Sequence, residues 1–238
     1  MRIEIWSDVV CPWCFVGKRR LEKALAGFEH ADEVEVVYRS FELDPSAPQH
    51  GHELTTGVLA RKYGRSEAEM RQMQEQLVEV AAQEGLAMRL LENVHTRTVD
   101  AHRLLHLALE TGGPAQQREL KEALLAAYFL RAEDVGDHDV LRAAAAGAGL
   151  DAARVDEVLA GDAYAEAVAA DVAQARAYGA TGVPFFVVDA RYGVSGAQPT
   201  EVFDQLLRQA WAESRPTLVP VGGDAEACGP DGCAVPGA

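Results

Sequence analysis

Two cysteines three residues apart, in the stretch SDVVCPWCFVG from Ser7 to Gly17, are the groups in this chain best suited to covalent chemistry. A Cys-x-x-Cys pair can be a redox dithiol, half of a tetrahedral zinc site, or a chance spacing. A catalytic thiol must ionise, and the first turn of a helix favours ionisation through its free N–H groups and dipole. Cys11 follows an apparent strand and stands where a helix should begin. Pro12 suits a first helical position, because its missing N–H would find no partner there. Cys14 comes about one turn later on the same side, placed to attack a mixed disulfide formed at Cys11 and release the product. The zinc reading needs a second pair, and Cys228 with Cys233 supplies one. It is the weaker reading, since the first pair sits in a strand-to-helix junction and the second in a distant Pro/Gly-rich tail.

Other side chains carry a functional and a plain reading each. Asp8, three residues before Cys11, can tune the thiol or accept its proton, and can equally cap the helix that follows. His102 and His106 are four apart on a predicted helix, with His95 nearby, a spacing able to share a metal. The plainer expectation is a solvated surface pair, and the same discount applies to His50 and His52 in a polar loop. Met70 and Met73 read as core filler of a helical region, with an adaptable peptide-binding surface as the alternative. Cys228 and Cys233 flank GPDG, a turn-forming run, and could exchange electrons with Cys11/Cys14 or simply oxidise with each other.

The elements that must position these residues are legible in the hydrophobic pattern. Arg2 to Val9 alternates as a strand, and Phe15, Leu21, Leu25 and Phe28 recur at helical spacing after Cys11. Val34 to Leu43 reads as a second strand, closed by Asp44-Pro45 and followed by a polar loop. Ser66-x-x-Glu69 resembles a capping box that opens a helix running toward Gly85. Further helices are predicted from Thr98 to Glu110, stopped by Gly112-Gly113-Pro114, and from Gln116 to Leu130. Shorter alanine-rich helices follow near Val140 and after Asp151, and another ends at Tyr178-Gly179. Phe185 to Val188 is a short apolar run suited to a buried strand; Arg191 to Ala197 offers it a partner, and Pro199 to Trp211 a last amphipathic helix.

Composition narrows the function classes. The 238 residues are 48% apolar and 25% charged, enough for a packed core without staples. A formal net charge of -15 argues against nucleic acid and against an anionic membrane surface. No segment reaches the ~20 apolar residues of a membrane helix, and the first residues lack the pattern of an export signal, so a cytoplasmic location is expected. In a reducing compartment paired cysteines are more often catalytic, redox-sensing or metal-binding than structural.

The motif CPWC combined with the late run TGVPFFVVD, Thr181 to Asp189, resembles the thioredoxin superfamily, in which a cis-proline loop packs against the active-site dithiol. With a helical insert between the two motifs, the chain is similar to the DsbA-like branch. SDVVCPWCFVGKRRLE, ENVHTRTVDAHRLLHLA (Glu92 to Ala108) and the terminal Cys228–Cys233 pair look like FrnE-type DsbA-like oxidoreductases. That resemblance implies an α/β (α+β) fold, with a thioredoxin-like mixed-sheet core and an inserted all-helical lobe. The core would comprise residues 1–50 and 165–214, the helical insert 51–164, and a C-terminal tail 215–238. It also implies Cys11 as nucleophile, Cys14 as resolving thiol, Pro184 as the cis-proline, and Val183 as the backbone contact for an added substrate strand. Trp13 would lie beside the thiolate. Because strongly oxidising DsbA enzymes carry a His in this dipeptide and Trp13 offers no charge, a less depressed Cys11 pKa and a more reducing couple are expected.

The function so implied is thiol–disulfide oxidoreductase or isomerase on protein disulfides, without a bound cofactor and with glutathione as a candidate redox co-substrate. Expected partners are protein or peptide thiols and disulfides and cellular thiol reductants, with no nucleic acid and no membrane; a homodimer is compatible with the sequence. Two alternatives stand beside it. Kappa-type glutathione transferases and 2-hydroxychromene-2-carboxylate isomerases share the layout but usually carry a serine near position 11. A non-enzymatic peptide-binding or zinc-stabilised module would make the cysteines structural.

Overall fold

The structure is a computed structural model and describes residues 1–214. Four strands form one mixed sheet in the order β2-β1-β3-β4, from β1 (Arg2–Ser7), β2 (Glu35–Ser40), β3 (Phe185–Val188) and β4 (Tyr192–Ser195). β1 pairs parallel with β2 and antiparallel with β3, and β3 pairs antiparallel with β4. The period of two in β1 decides the layers. Ile3 and Ile5 turn to one face, where α1 (Pro12–Ala26) and α8 (Thr200–Ser214) cover the sheet through Leu21, Ala24, Phe203 and Leu207, with Phe28 just past α1. Trp6 turns to the other, against Phe185, Val187 and Ala175 of α7 (Ala165–Ala177).

Between β2 and α7 the chain is helical: α2 (Thr55–Tyr63), α3 (Glu67–Gln83), α4 (Val99–Arg131), α5 (His138–Gly147) and α6 (Ala152–Ala160). The expected capping box at α3 is present, Ser66 N–H donating to Glu69 and Glu69 N–H to Ser66 Oγ at 3.2 Å. α4 joins the two helices predicted on either side of the Gly-Gly-Pro run. Gly113 breaks its backbone at φ 68°, a left-handed value that favours glycine, and Pro114 opens the second half. α2 was not legible in the sequence. It begins Thr-Thr-Gly, residues of modest helix propensity, and has no side-chain cap at its start. Packing against α3 sustains it, with Thr56 Oγ1 donating to Gln74 Oε1 at 2.6 Å.

Two features bind the helical region to the sheet. α1 is apolar on two sides: Leu21 and Ala24 lie on the sheet, whereas Phe15 and Val16 enter a second core with Leu86, Leu104 and Phe129. At the outer edge of β2, Gln117 of α4 acts as a substitute strand. Its Oε1 accepts from Tyr38 N–H at 2.8 Å and its Nε2 donates to Tyr38 C=O at 2.9 Å. Two residues on, the Asp171 carboxylate of α7 accepts from Ser40 N–H at 2.8 Å. The edge is thus closed by side chains from the helices, which satisfies its backbone groups.

Candidate active site

Cys11 is the residue immediately before α1, with extended backbone (φ -96°, ψ 112°), and Pro12 is the first residue of the helix. No side chain caps the helix start, so the capping reading of Asp8 fails. Cys11 and Cys14 are free thiols, both buried, one helical turn apart, and Cys14 N–H donates to Cys11 C=O at 3.0 Å. The Val183–Pro184 peptide is cis, and Cys11 Sγ–H donates to Val183 C=O at 3.4 Å. Residues 172 positions apart therefore meet at one point.

This meeting depends on a small residue that the motif reading passed over. A Cβ on Gly17 would lie 3.2 Å from Pro184 Cγ and 3.3 Å from Phe186 Cζ, so any larger residue would press the proline loop back from α1 by a few tenths of an ångström. The loop is held from its far side by Gly196 N–H donating to Pro184 C=O at 2.8 Å. Arg20 Nη1 donates to Ala197 C=O at 2.7 Å while its Nε binds Glu84, tying the segment after β4 to α1 and to the end of α3.

The charges around the sulfurs come from the β1–α1 turn and from α4. Asp8 is fully buried; its carboxylate accepts from Leu43 N–H at 2.8 Å and from His102 Nε2 at 3.3 Å. A carboxylate only accepts, which places the proton on His102 Nε2 and leaves Nδ1 without a partner. Burial raises the Asp8 pKa, but the His102 hydrogen bond and charge and the Leu43 amide outweigh it, and the carboxyl lies below its ordinary value. His102 is thus neither a solvated surface residue nor half of a metal pair. His106 turns elsewhere, to Asp171 Oδ2 and Ser40 Oγ, each at 3.1 Å, and His95 pairs with Asp44 at 3.1 Å. Among the described residues no three His, Cys, Asp or Glu side chains converge as a metal site would require.

The surroundings act on the two thiols unequally. The hydrogen bond to Cys14, then burial and the charges of Cys14 and Asp8, push the Cys11 thiol well above its ordinary pKa. Burial also opposes a Cys14 thiolate, but the Cys11 hydrogen bond, the Lys121 charge and the Ser7 hydroxyl hold the Cys14 pKa below normal. Ser7 Oγ makes no directed hydrogen bond, yet it faces Cys14 closely enough to favour the charged sulfur. These surroundings favour the charged form at Cys14 over Cys11.

Trp13 is 42% exposed beside the pair, and a cavity of about 140 Å³ opens next to it, lined by Asp8, Pro12, Leu43, Tyr63 and Tyr128. Met70 is buried as core, whereas Met73 is an exposed surface residue and not core filler. His50 and His52 are exposed. Cys228 and Cys233 lie outside the described residues.

A strand, a Cys-x-x-Cys helix start and a cis-proline whose preceding carbonyl meets the first sulfur define a known architecture. A family model described as DSBA-like thioredoxin domain matches residues 2–208. The chain belongs to that family. It is 53% identical to a probable DsbA oxidoreductase from Streptomyces coelicolor, over 100% of both chains and with a TM-score of 0.85. Two more distant structures share the fold alone. A 2-hydroxychromene-2-carboxylate isomerase is 13% identical at TM-score 0.67, over 90% of this chain and 98% of that one. The cytosolic disulfide reductase DsbM from Pseudomonas aeruginosa is 16% identical at TM-score 0.60, over 90% and 100%.

This DsbA-like chain has a thioredoxin-like mixed-sheet core, as its two motifs implied. Sequence reasoning missed Ser7, Gly17 and Lys121. Only Gly17 left a trace, as a glycine inside a predicted helix where alanine would be favoured. No helix of the described residues is long and apolar enough to cross a membrane.

Proposed function

We propose that this DsbA-like protein is a FrnE-type thiol–disulfide oxidoreductase of the cytoplasm, exchanging disulfides with protein and peptide substrates through Cys11 and Cys14. The observation that carries the reading is the contact of Cys11 Sγ with the Val183 carbonyl beside cis-Pro184, at the start of α1. Val183 presents its backbone where an extended substrate could add as a strand, and exposed Trp13 offers such a chain an apolar surface.

In the reducing direction, Cys11 Sγ attacks one sulfur of the substrate disulfide and passes its proton to the Cys14 thiolate. A Cys11–substrate disulfide forms and the first substrate thiolate leaves. That thiolate takes the Cys14 proton, and Cys14 Sγ attacks Cys11 Sγ, closing the enzyme disulfide and expelling the second substrate thiolate. Two electrons pass from the dithiol to the substrate. A cellular thiol such as glutathione reloads the pair; the DsbM relative was also solved with GSH. In this reading Cys228 and Cys233 form a second redox pair that exchanges with the first.

Insulin reduction driven by a dithiol tests the proposal. Wild type should reduce insulin and Cys11→Ser should not. A wild type no faster than Cys11→Ser overturns the reading and favours glutathione chemistry or a structural role. A chain truncated after Val221 that turns over at the wild-type rate removes the second pair from the mechanism.

A further inference from the structure

Close to the dithiol lies a buried cation that takes no bond or proton in the exchange chemistry above. Lys121, on the second half of α4, is 0% exposed and its Nζ makes no hydrogen bond. An ammonium so placed is costly unless charge nearby compensates it. Its position is fixed. Gln117, one turn earlier on the same face of α4, clasps both backbone groups of Tyr38, and Lys121 Nζ then sits 5.6 Å from the centre of the Tyr38 ring. The charged and titratable groups around it are Cys14 and Lys18 from α1, Cys11 just before α1, Asp8 from the β1–α1 turn and Tyr38 from β2. Cys14 gives the strongest attraction, Asp8 and Cys11 add to it, and Lys18 opposes.

We propose that Lys121 is the fixed counter-charge of the Cys14 thiolate, and that through it the helical region sets the redox equilibrium of the dithiol. The inference rests on the dithiol reading above. When an incoming thiolate opens the Cys11–Cys14 disulfide, a substrate–Cys11 bond forms and the S–S bond breaks. The electron pair goes to Cys14 Sγ, where Lys121 receives the charge. In the reverse step the Cys14 thiolate attacks Cys11 and the pair leaves on the substrate sulfur. Lys121 neither forms a bond nor changes oxidation state. It is a positioning residue acting through Cys14, and it favours the reduced form. Burial brings its own pKa down to about 8, so it is mostly charged at neutral pH and loses that charge in mildly alkaline solution.

The first test uses the wild-type chain. The Lys121 Nζ titration, followed by ¹⁵N NMR in the reduced and disulfide forms, should shift about tenfold in proton affinity, weaker in the disulfide form, where the Cys14 charge is gone. The same midpoint in both forms overturns the proposal, whether or not any variant folds. The second test follows Cys14 alone, by thiolate absorbance in a Cys11→Ser background. Adding Lys121→Met should weaken Cys14 acidity about tenfold, and Lys121→Arg should restore it. An unchanged Cys14 titration in folded Lys121→Met overturns the proposal too. With both cysteines present, Lys121→Met should move the equilibrium with glutathione about tenfold toward the disulfide, a couple about 30 mV more reducing. Insulin reduction by wild type stands apart: its absence sinks the oxidoreductase reading, while the Lys121 and Cys14 titrations judge the counter-charge by themselves.

Discussion

Replacing Asp8 by Asn removes one buried negative charge and almost no volume, and its two effects have opposite signs. The carboxylate accepts from Leu43 N–H and from His102 Nε2. An asparagine can keep the Leu43 bond through its oxygen and present its amide to His102, whose Nδ1 has no partner and is free to take the tautomeric proton. What is lost is the charge assistance of the two bonds, about 1–2 kcal/mol of folding free energy at pH 7. Because the folded Asp8 pKa is lowered, that stability is complete above the unfolded carboxyl pKa and fades as pH falls through the folded value. The variant's deficit in urea melts should therefore shrink in acid. At the dithiol the same substitution is activating. A buried unit charge within ~10 Å, at an effective dielectric of ~20, is worth on the order of 1–2 kcal/mol. Removing it should lower the Cys11 pKa by about one unit. Alkylation of Cys11 by iodoacetamide across pH, in a Cys14→Ser background, measures this directly. A folded Asp8→Asn protein whose Cys11 titrates at the parent pH, or higher, would refute the assignment of Asp8 as one of the charges that raise the Cys11 pKa.

Gly17→Val should force the proline loop away from α1, since its Cβ would already press on Pro184 and Phe186. A loss of about 1–3 kcal/mol in thermal melts is expected, together with insulin reduction slowed about tenfold or more. An unchanged rate would mean that the loop is not held by this contact. Arg103→Met tests the helical region: Arg103 is buried on α4, donates to the carbonyls of Ala163, Gly161 and Val158, and pairs with Asp100 at 2.8 Å. Deleting that fork strands several buried acceptors and should cost about 3 kcal/mol or more in urea unfolding; a loss under ~1 kcal/mol would show that water takes over its role.

The strands, most helices and the two halves of the dithiol site were legible because each rests on a local signal. Cys11-Pro-Trp-Cys14 declares a helix start, Ser66 and Glu69 a capped helix, and Gly113-Pro114 a break, all within a few residues. The electrostatics were not legible, because they depend on pairs far apart in the chain. His102 at helical spacing from His106 suggested a shared ligand or a wet surface. The two side chains instead diverge by a small rotation about α4, one to Asp8 and the other to Asp171. Lys121 was hidden for the same reason: in an amphipathic helix a lysine is ordinarily solvated, and only the Gln117 clasp one turn earlier turns this one inward.

That clasp bears on why the helical region is inserted between the halves of the core. A lobe that merely covered the sheet edge could be apolar where it meets β2. Here the meeting surface is polar and directional: Gln117 on Tyr38, Asp171 on Ser40, His102 on Asp8 and Lys121 behind Cys14. Each of these groups would be costly if left unpartnered, so together they specify one seating of α4 and α7 on the core. The same seating brings a positive charge against one sulfur and leaves a negative charge near the other. A rotation of α4 by even one residue, about 100°, would carry both His102 and Lys121 off the site. Fold specificity and the charge balance of the dithiol are therefore set by the same contacts, and substitutions at Gln117 should disturb both together.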